Sequence, residues 1–332
     1  MKYTGIGIIG AGEMAQNFHL PILQNLQDVK ILSICDRLLS KANIIAEKFN
    51  IPYVCESLSE MLAIEELEAV FILTPTDLHS KFALECIKSK KHIFIEKPIA
   101  KNYEDAKLIS DSAELNKVKC MIGMSQRFRQ DAKMMKYYVQ NGDLGEVFYI
   151  KAGWAQKKHN QIWKDNKDKS GGGVLMDLGL SLIDSILWVF NYQEVKSVVA
   201  NNFSRTNSDM EDISVGTILF KNGAVATLEC SWSLFTSMTN YYFNVYGQEG
   251  SAMVNPLQLY KRNGDLLQPQ ANTDKINNLN LHKKSYESEI KHFINAVRGL
   301  GPVISSANEA LEAIRVLDAF YISSNEKREV FL

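Results

Sequence analysis

Lys97 is the first residue in the chain placed for chemistry. The run Phe94-Ile95-Glu96-Lys97-Pro98 passes from apolar, strand-like residues to an acid, a base and a proline. Proline disfavours the αR conformation in the residue before it, so Lys97 is expected to be extended, its amine projecting at a defined angle. An ammonium held in this way can hydrogen-bond a substrate oxygen as hydride leaves or arrives. The alternative is a surface ammonium paired with Glu96. A second group, Asp177, Ser181 and Asp184, interrupts an apolar stretch at i, i+4 and i+7, which on an α-helix is one face. A polar stripe on a buried helix is either a paired structural network or an active site.

A third group has the pattern of a dinucleotide site. Gly10-Ala11-Gly12-Glu13-Met14-Ala15 reads G-x-G-x-x-A, after a short apolar run at 6–9 and before a helical run to about residue 26. Gly10 would permit the tight turn, Gly12 would let a pyrophosphate approach the backbone, and Ala15 would let helix and strand pack closely. The helix N-terminus would offer N–H groups and partial positive charge to the phosphates. Asp36, about twenty residues beyond the motif, closes the apolar run 29–35 and matches the acid that binds the adenosine ribose. A carboxylate there accepts from both ribose hydroxyls and repels a 2'-phosphate, which favours NAD over NADP. Arg37 beside it can stack on adenine or reach a 2'-phosphate, which keeps NADP possible, or is a solvated charge opening the next helix. Thr74-Pro75-Thr76-Asp77-Leu78-His79 follows another strand; proline stops the strand, and Thr76 or Asp77 is expected to cap the helix after it. His79 then either fixes this loop or touches cofactor or substrate.

The elements that must position these residues alternate. Strands are expected at 6–9, 29–35, 53–54, 69–73, 91–95 and 119–124, with helices at 39–49, 57–61, from the Thr74 loop to about 89, and at 102–116. This βαβα order implies a parallel, doubly wound sheet. At 332 residues the chain exceeds what one hydrophobic core serves, so two domains are expected, 1–124 and 125–332, and 46% apolar residues can bury both. The second half predicts a helix at 132–140, a strand at 146–156, and a lysine-rich loop at 157–169 around Trp163. That loop is either a solvated face or a lid whose tryptophan packs on a sugar-like substrate. Ser170-Gly171-Gly172-Gly173 then opens a buried helix at 174–190. Strands at 196–203, 213–220, 224–232, 241–246 and 252–254 form a mostly antiparallel meander. Trp232, Tyr241, Tyr242 and Phe243 supply aromatic surface for sheet packing or a subunit interface. Residues 263–284 read as a polar loop, followed by amphipathic helices at 285–298 and 307–324.

Net charge is -1, with no long run of either sign, which points to a small-molecule partner rather than nucleic acid or a membrane surface. The first residues lack the charged and apolar regions of an export signal, and no later stretch has about 18 uninterrupted apolar residues, so a cytoplasmic protein is expected. Five scattered cysteines without a C-x-x-C pair predict no metal site and reduced, mostly buried thiols.

Taken in order, the glycine motif, the Thr74-Pro75 loop leading to His79, and Glu96-Lys97-Pro98 resemble the Gfo/Idh/MocA oxidoreductases. The resemblance continues through Gln126-Arg127-Phe128, Gly142-Asp143-Leu144-Gly145-Glu146 and Gly171 to Gly179, and covers nearly the whole chain. It implies an α/β protein: an N-terminal Rossmann domain, then an α+β domain with an open-faced, mostly antiparallel sheet and C-terminal helices that return to the first domain. The implied activity is hydride transfer between a nicotinamide cofactor and a sugar, cyclitol or related alcohol or ketone, in a homodimer or homotetramer formed through the outer sheet face. By this resemblance Gly10, Gly12, Glu13, Met14, Ala15, Asp36, Arg37, Thr74, Pro75, His79, Glu96 and Lys97 surround the cofactor. Arg127, Trp163, Asp177 and Ser181 face the substrate, and Lys97, Asp177 and Ser181 carry the chemistry, Asp177 bonding the substrate or Lys97. The family pattern D-x-G-x-H-x-x-D has serine at 181 where the histidine commonly acts as acid and base. A serine cannot hold and release a proton near pH 7 as imidazole does. Ser181 is left to bond the substrate or relay through water, and the proton falls to Lys97, Asp177, a nearby Tyr or His, or solvent. Some relatives cleave glycosidic bonds through transient oxidation by bound NAD, and one is a yeast transcriptional regulator. Glycosidase-type chemistry without net redox and a non-catalytic sensor are therefore the alternative readings.

Overall fold

Six apolar runs become the strands β1 Thr4–Ile9, β2 Val29–Cys35, β3 Tyr53–Cys55, β4 Leu67–Ile72, β5 His92–Glu96 and β6 Cys120–Gly123. The computed structural model describes residues 3–158, 162–205, 209–233, 239–263, 266–272 and 278–332, with backbone alone at 162, 263, 266–272 and 278–280. By its contacts the chain divides into two compact units, Met1–Met124 with Tyr286–Leu311, and Ser125–Ser285 with Glu312–Leu332.

In the first unit the six strands pair in parallel in the order β3-β2-β1-β4-β5-β6. Strands covered on both faces read as unbroken apolar runs; Ile6, Ile8, Phe71 and Phe94 accordingly have no exposed surface. The helices between them are α1 Leu20–Gln24, α2 Leu39–Phe49, α3 Leu58–Leu62, α4 His79–Lys88 and α5 Tyr103–Leu115. Asn102 and Ser57 cap α5 and α3 by accepting from Asp105 N–H at 2.8 Å and Glu60 N–H at 3.3 Å. The cap expected at Thr76 or Asp77 does not form. A 3-10 turn, Thr76–Leu78, leads into α4 instead, with Leu78 N–H donating to Pro75 O at 3.1 Å, so the backbone closes the turn itself. The strand order reverses between β1 and β4, and in such sheets the ligand crevice lies at the carboxyl ends of the strands there.

The second unit carries α6 Gln130–Gln140, β7 Val147–Ala155, α7 Lys167–Ser170, α8 Leu180–Val189, β8 Val195–Phe203, β9 Ile213–Phe220, β10 Val225–Ser231, β11 Asn240–Gly247, β12 Gly250–Val254, β13 Gln258–Asn263 and β14 Leu266–Asn272. Two long helices, α9 Asn278–Val297 and α10 Ala307–Glu326, and a short strand, β15 Val330–Phe331, complete the chain. The nine strands run β14-β13-β12-β11-β7-β10-β9-β8-β15; β7 and β10 are parallel and the other pairs antiparallel. Two expectations need correction, while the buried aromatics agree with sheet packing. Residues 263–284 are not a loop: they hold β14 and the start of α9, while 264–265 and 273–277 lie outside the described residues. A polar edge strand lacks apolar alternation, and Pro269 is tolerated at an edge where it would break an inner strand. The aromatic run is divided by the two-residue period of the strand: Tyr241 and Phe243 are buried, and Tyr242 points to the other face. Ser170 does not open the long helix but ends α7, which Gly171 closes with φ 86°.

Among the described residues one helical stretch, Lys167–Val189, has the length and apolar content of a membrane span, but most of it is buried inside this unit. It also holds Asp177, Ser181 and Asp184. All five cysteines are free thiols. Burial pushes Cys35 up to about 11 and Cys86 and Cys120 up to about 12, which keeps them protonated.

Candidate active site

Gly10 leaves β1 at φ 95°, and a Cβ there would lie 2.6 Å from Leu73 O. Only glycine turns the chain at this point. At Gly12 the nearest atom to an added Cβ is the same oxygen at 3.9 Å, so its missing side chain faces open space. That is the room a pyrophosphate needs to approach the backbone, and the residues here fit a dinucleotide. Glu13 and Met14 begin the helix, exposed and half-buried, and Ala15 is fully buried against the sheet.

Asp36 stands where β2 ends. Its Oδ2 accepts from Ala11 N–H at 2.8 Å and its Oδ1 from Leu38 N–H at 2.9 Å, while Gln16 Nε2 donates to Ala11 O at 2.8 Å. The glycine turn and the β2 end are thus tied together. A carboxylate offers about four lone-pair positions, so Asp36 keeps capacity for two hydroxyls. Arg37 next to it is exposed.

Thr74 and Pro75 follow β4. His79 is buried below them, with Nε2 2.9 Å from Thr74 O and Nδ1 2.8 Å from Pro98 O. Two carbonyls facing one ring favour a proton on each nitrogen, but burial outweighs them and pushes the pKa down. A neutral ring can donate to only one of the two carbonyls. Both nitrogens face backbone carbonyls, one as donor in the neutral ring, so His79 sits enclosed between the Thr74 loop and Pro98 and turns neither ring nitrogen toward a ligand.

Glu96 is not a surface acid, since only 8% of it is exposed. Its Oε1 lies 2.8 Å from His19 Nε2, and its Oε2 accepts from Lys97 N–H at 3.2 Å. His19, fully buried, comes from a π-turn, Ala15–His19, in which Leu20 N–H reaches back to Ala15 O. Pro21 has no N–H to give Asn17, and the turn before it is widened. The glycine motif, Glu96 and Lys97 therefore form one braced unit. Lys97 itself is half-buried, and its bond to Pro98 is cis.

In the second unit a second π-turn, Leu175–Gly179, precedes α8 and contains Asp177. The widened turn falls within the i, i+4, i+7 stripe expected of a plain α-helix. Asp177 and Asp184 serve different partners. Asp184 is buried and forks with Arg127, whose Nε donates to Oδ2 at 2.7 Å and whose Nη2 bonds Oδ1 and Tyr192 Oη. Arg127 is 1% exposed and committed to this pair, which removes it as a substrate contact. Asp177 instead lies 3.1 Å from Lys164 Nζ, on a 3-10 turn, Ile162–Asp165, that also carries half-buried Trp163. Ser181 is buried one turn further along.

The glycine run before Asp177 has a packing cause. Added Cβ atoms at Gly172 and Gly173 would fall 2.1 Å from Tyr321 Oη and 2.0 Å from Glu211 O. Glu211 Oε1 accepts from Gly173 N–H at 2.9 Å, Leu175 N–H at 3.1 Å and Tyr321 Oη at 2.8 Å, fixing the start of the turn. Burial pushes Glu211 up against these bonds, which pull it down. Tyr321 is also raised, by burial and then by Glu211, and stays protonated at neutral pH. His19, Lys164, Glu211 and Tyr321 escaped sequence reasoning because each finds its partner across a loop or a sheet.

Residues 4–124 match the oxidoreductase family model described as the NAD-binding Rossmann fold, and residues 136–332 match that of the C-terminal alpha/beta domain. D-glucoside 3-dehydrogenase of Escherichia coli is 29% identical over 349 residues, covering 98% of this chain and 97% of the relative. The scyllo-inositol 2-dehydrogenase (NADP(+)) of Bacillus subtilis is 23% identical, covering 98% and 95%. Levoglucosan dehydrogenase, solved with NADH and levoglucosan, shares the fold with a TM-score of 0.89 at 20% identity, covering 99% of each chain. With both parts of the chain matched, the protein belongs to the Gfo/Idh/MocA oxidoreductase family and is an oxidoreductase with an NAD-binding Rossmann fold.

Proposed function

We propose that this oxidoreductase is an NAD(P)-dependent dehydrogenase or reductase of a sugar-like or cyclitol-like alcohol or ketone. The observation that carries this reading is that Gly12, Asp36, Thr74 and Lys97 all follow carboxyl ends of strands in one parallel sheet. A bound nicotinamide supplies the hydride acceptor or donor. Lys97, braced through Glu96, donates a hydrogen bond to the substrate oxygen and polarises it. Asp177 accepts from a substrate hydroxyl, and Ser181 offers a neutral hydroxyl beside it. Asp36 favours NAD(H), since it has acceptor positions for two ribose hydroxyls and its charge opposes a 2'-phosphate. The open face of the nine-stranded sheet, where Val199 is 42% and Val215 43% exposed, is the proposed surface for a homodimer or homotetramer.

Titration with NADH and NADPH, followed by absorbance of the reduced nicotinamide across aldoses, glycosides and inositols, tests the reading. NADH should bind more tightly, and Lys97→Ala should lower kcat about 10²–10⁴-fold. Binding of neither cofactor would overturn the function, and full turnover by Lys97→Ala would overturn the role of the lysine.

A further inference from the structure

The lysine-rich segment reads in the sequence as a solvated charge run, but the structure sorts its charges. Lys158 Nζ is 2.5 Å from Asp165 Oδ1, and Lys167 and Lys169 are exposed. Lys164 turns inward. Its Nζ lies 3.1 Å from Asp177 Oδ1, with only 18% and 15% of the two side chains exposed. The segment after it is closed by its own bonds. Asn166 Oδ1 accepts from Lys169 N–H at 3.2 Å, and Ser170 Oγ is 3.0 Å from both Asn166 O and Gly172 O. A loop tied in this way presents Lys164 to the turn that bears Asp177.

We propose that Lys164 is a substrate-recognition residue of the oxidoreductase site, and that the Lys164–Asp177 pair selects an uncharged polyhydroxyl compound over a phosphorylated or carboxylated one. This rests on the function proposed above. A hydroxyl both donates and accepts a hydrogen bond. An ammonium has three donors and a carboxylate only acceptors, so the two together match neighbouring hydroxyls of a polyol. The pair is neutral as a unit. An anionic group that gains from Lys164 is opposed by Asp177, whose Oδ1 is 3.1 Å from the ammonium. Ser181 adds a hydroxyl and no charge. The ammonium also gives a substrate oxygen the charged donor that Ser181 cannot supply.

The test uses the full chain with Lys164→Met, Lys164→Arg and Asp177→Asn. Melting temperature and NADH Kd are measured first, then binding and kcat/KM for inositols and aldoses beside their phosphates and uronates. Lys164→Met should cut kcat/KM for the neutral compound at least tenfold, mainly through KM and beyond what any fall in Tm explains, with NADH Kd unchanged, and Lys164→Arg should recover part of the loss. Asp177→Asn should shift relative binding at least tenfold toward the anionic compound. Kinetics of Lys164→Met within twofold of the parent, a loss that tracks a fall in Tm, or an unshifted preference in Asp177→Asn would each overturn the inference. Failure of the parent to bind NADH would instead bring down the functional reading, and this inference with it.

Discussion

Glu96 shows how a single carboxylate links two parts of a site. It holds buried His19 with one oxygen and the Lys97 main chain with the other. Replacing His19 by leucine leaves that acid buried with a lost partner, which costs about 1–3 kcal/mol. Urea unfolding should show this loss, and kcat should fall although Lys97 is intact; unchanged stability and rate would mean that the brace is idle. His79 gives a pH effect whose sign follows from burial. Its folded pKa is lowered, so below the unfolded value of about 6.5 the unfolded chain takes up a proton that the folded protein resists. Stability should therefore fall as pH drops below about 6.5. His92, also lowered by burial, adds to the same slope. His79→Gln, which keeps one N–H donor, should flatten the curve of Tm against pH between 7 and 5.5, and an unaltered slope would remove His79 as a contributor.

At the scale of elements, each unit has a glycine turn followed by a π-turn, at Gly10 and Ala15–His19 in the first and at Gly171 and Leu175–Gly179 in the second. In the first unit the glycine makes room on the outside, and in the second it makes room for the protein itself. Gly172→Ala would drive a Cβ into Tyr321 Oη, and overpacking of this kind costs about 1–3 kcal/mol. The displaced turn carries Asp177, so kcat/KM should fall as well. Removing the hydroxyl moves the nearest obstacle back to Tyr321 Cζ at 3.0 Å. Tyr321→Phe should therefore partly rescue Gly172→Ala in thermal melts. Additive losses in the double variant would show that the clash is relieved in some other way.

For the molecule as a whole, the nine-stranded sheet leaves one face of mixed chemistry. Val199 pairs with Thr217, Thr217 with Thr227 and Thr227 with Lys151, and the neighbouring row joins Asn201, Val215, Glu229 and Gly153. These rows combine partly exposed valines with polar groups, a composition suited to a subunit interface. Light scattering should report a dimer or tetramer for the parent and a smaller species for Val215→Lys. A monomeric parent, or an unchanged mass in the variant, would rule out this face as the interface.

The chain carries its first unit openly. Buried parallel strands are continuous apolar runs, and the Gly10 turn, the acid at 36 and the lysine at 97 are set by local spacing at strand ends, so each could be placed without coordinates. The second unit is less legible, because polar edge strands such as β14 carry no alternating pattern and pair through backbone alone. Tertiary structure alone decided the partners. Arg127 is claimed by Asp184, Glu96 by His19 and Lys164 by Asp177, pairs separated by 57, 77 and 13 residues. A charge in a sequence states what a residue can bond to, and only the fold brings one candidate within reach and removes water from the rest.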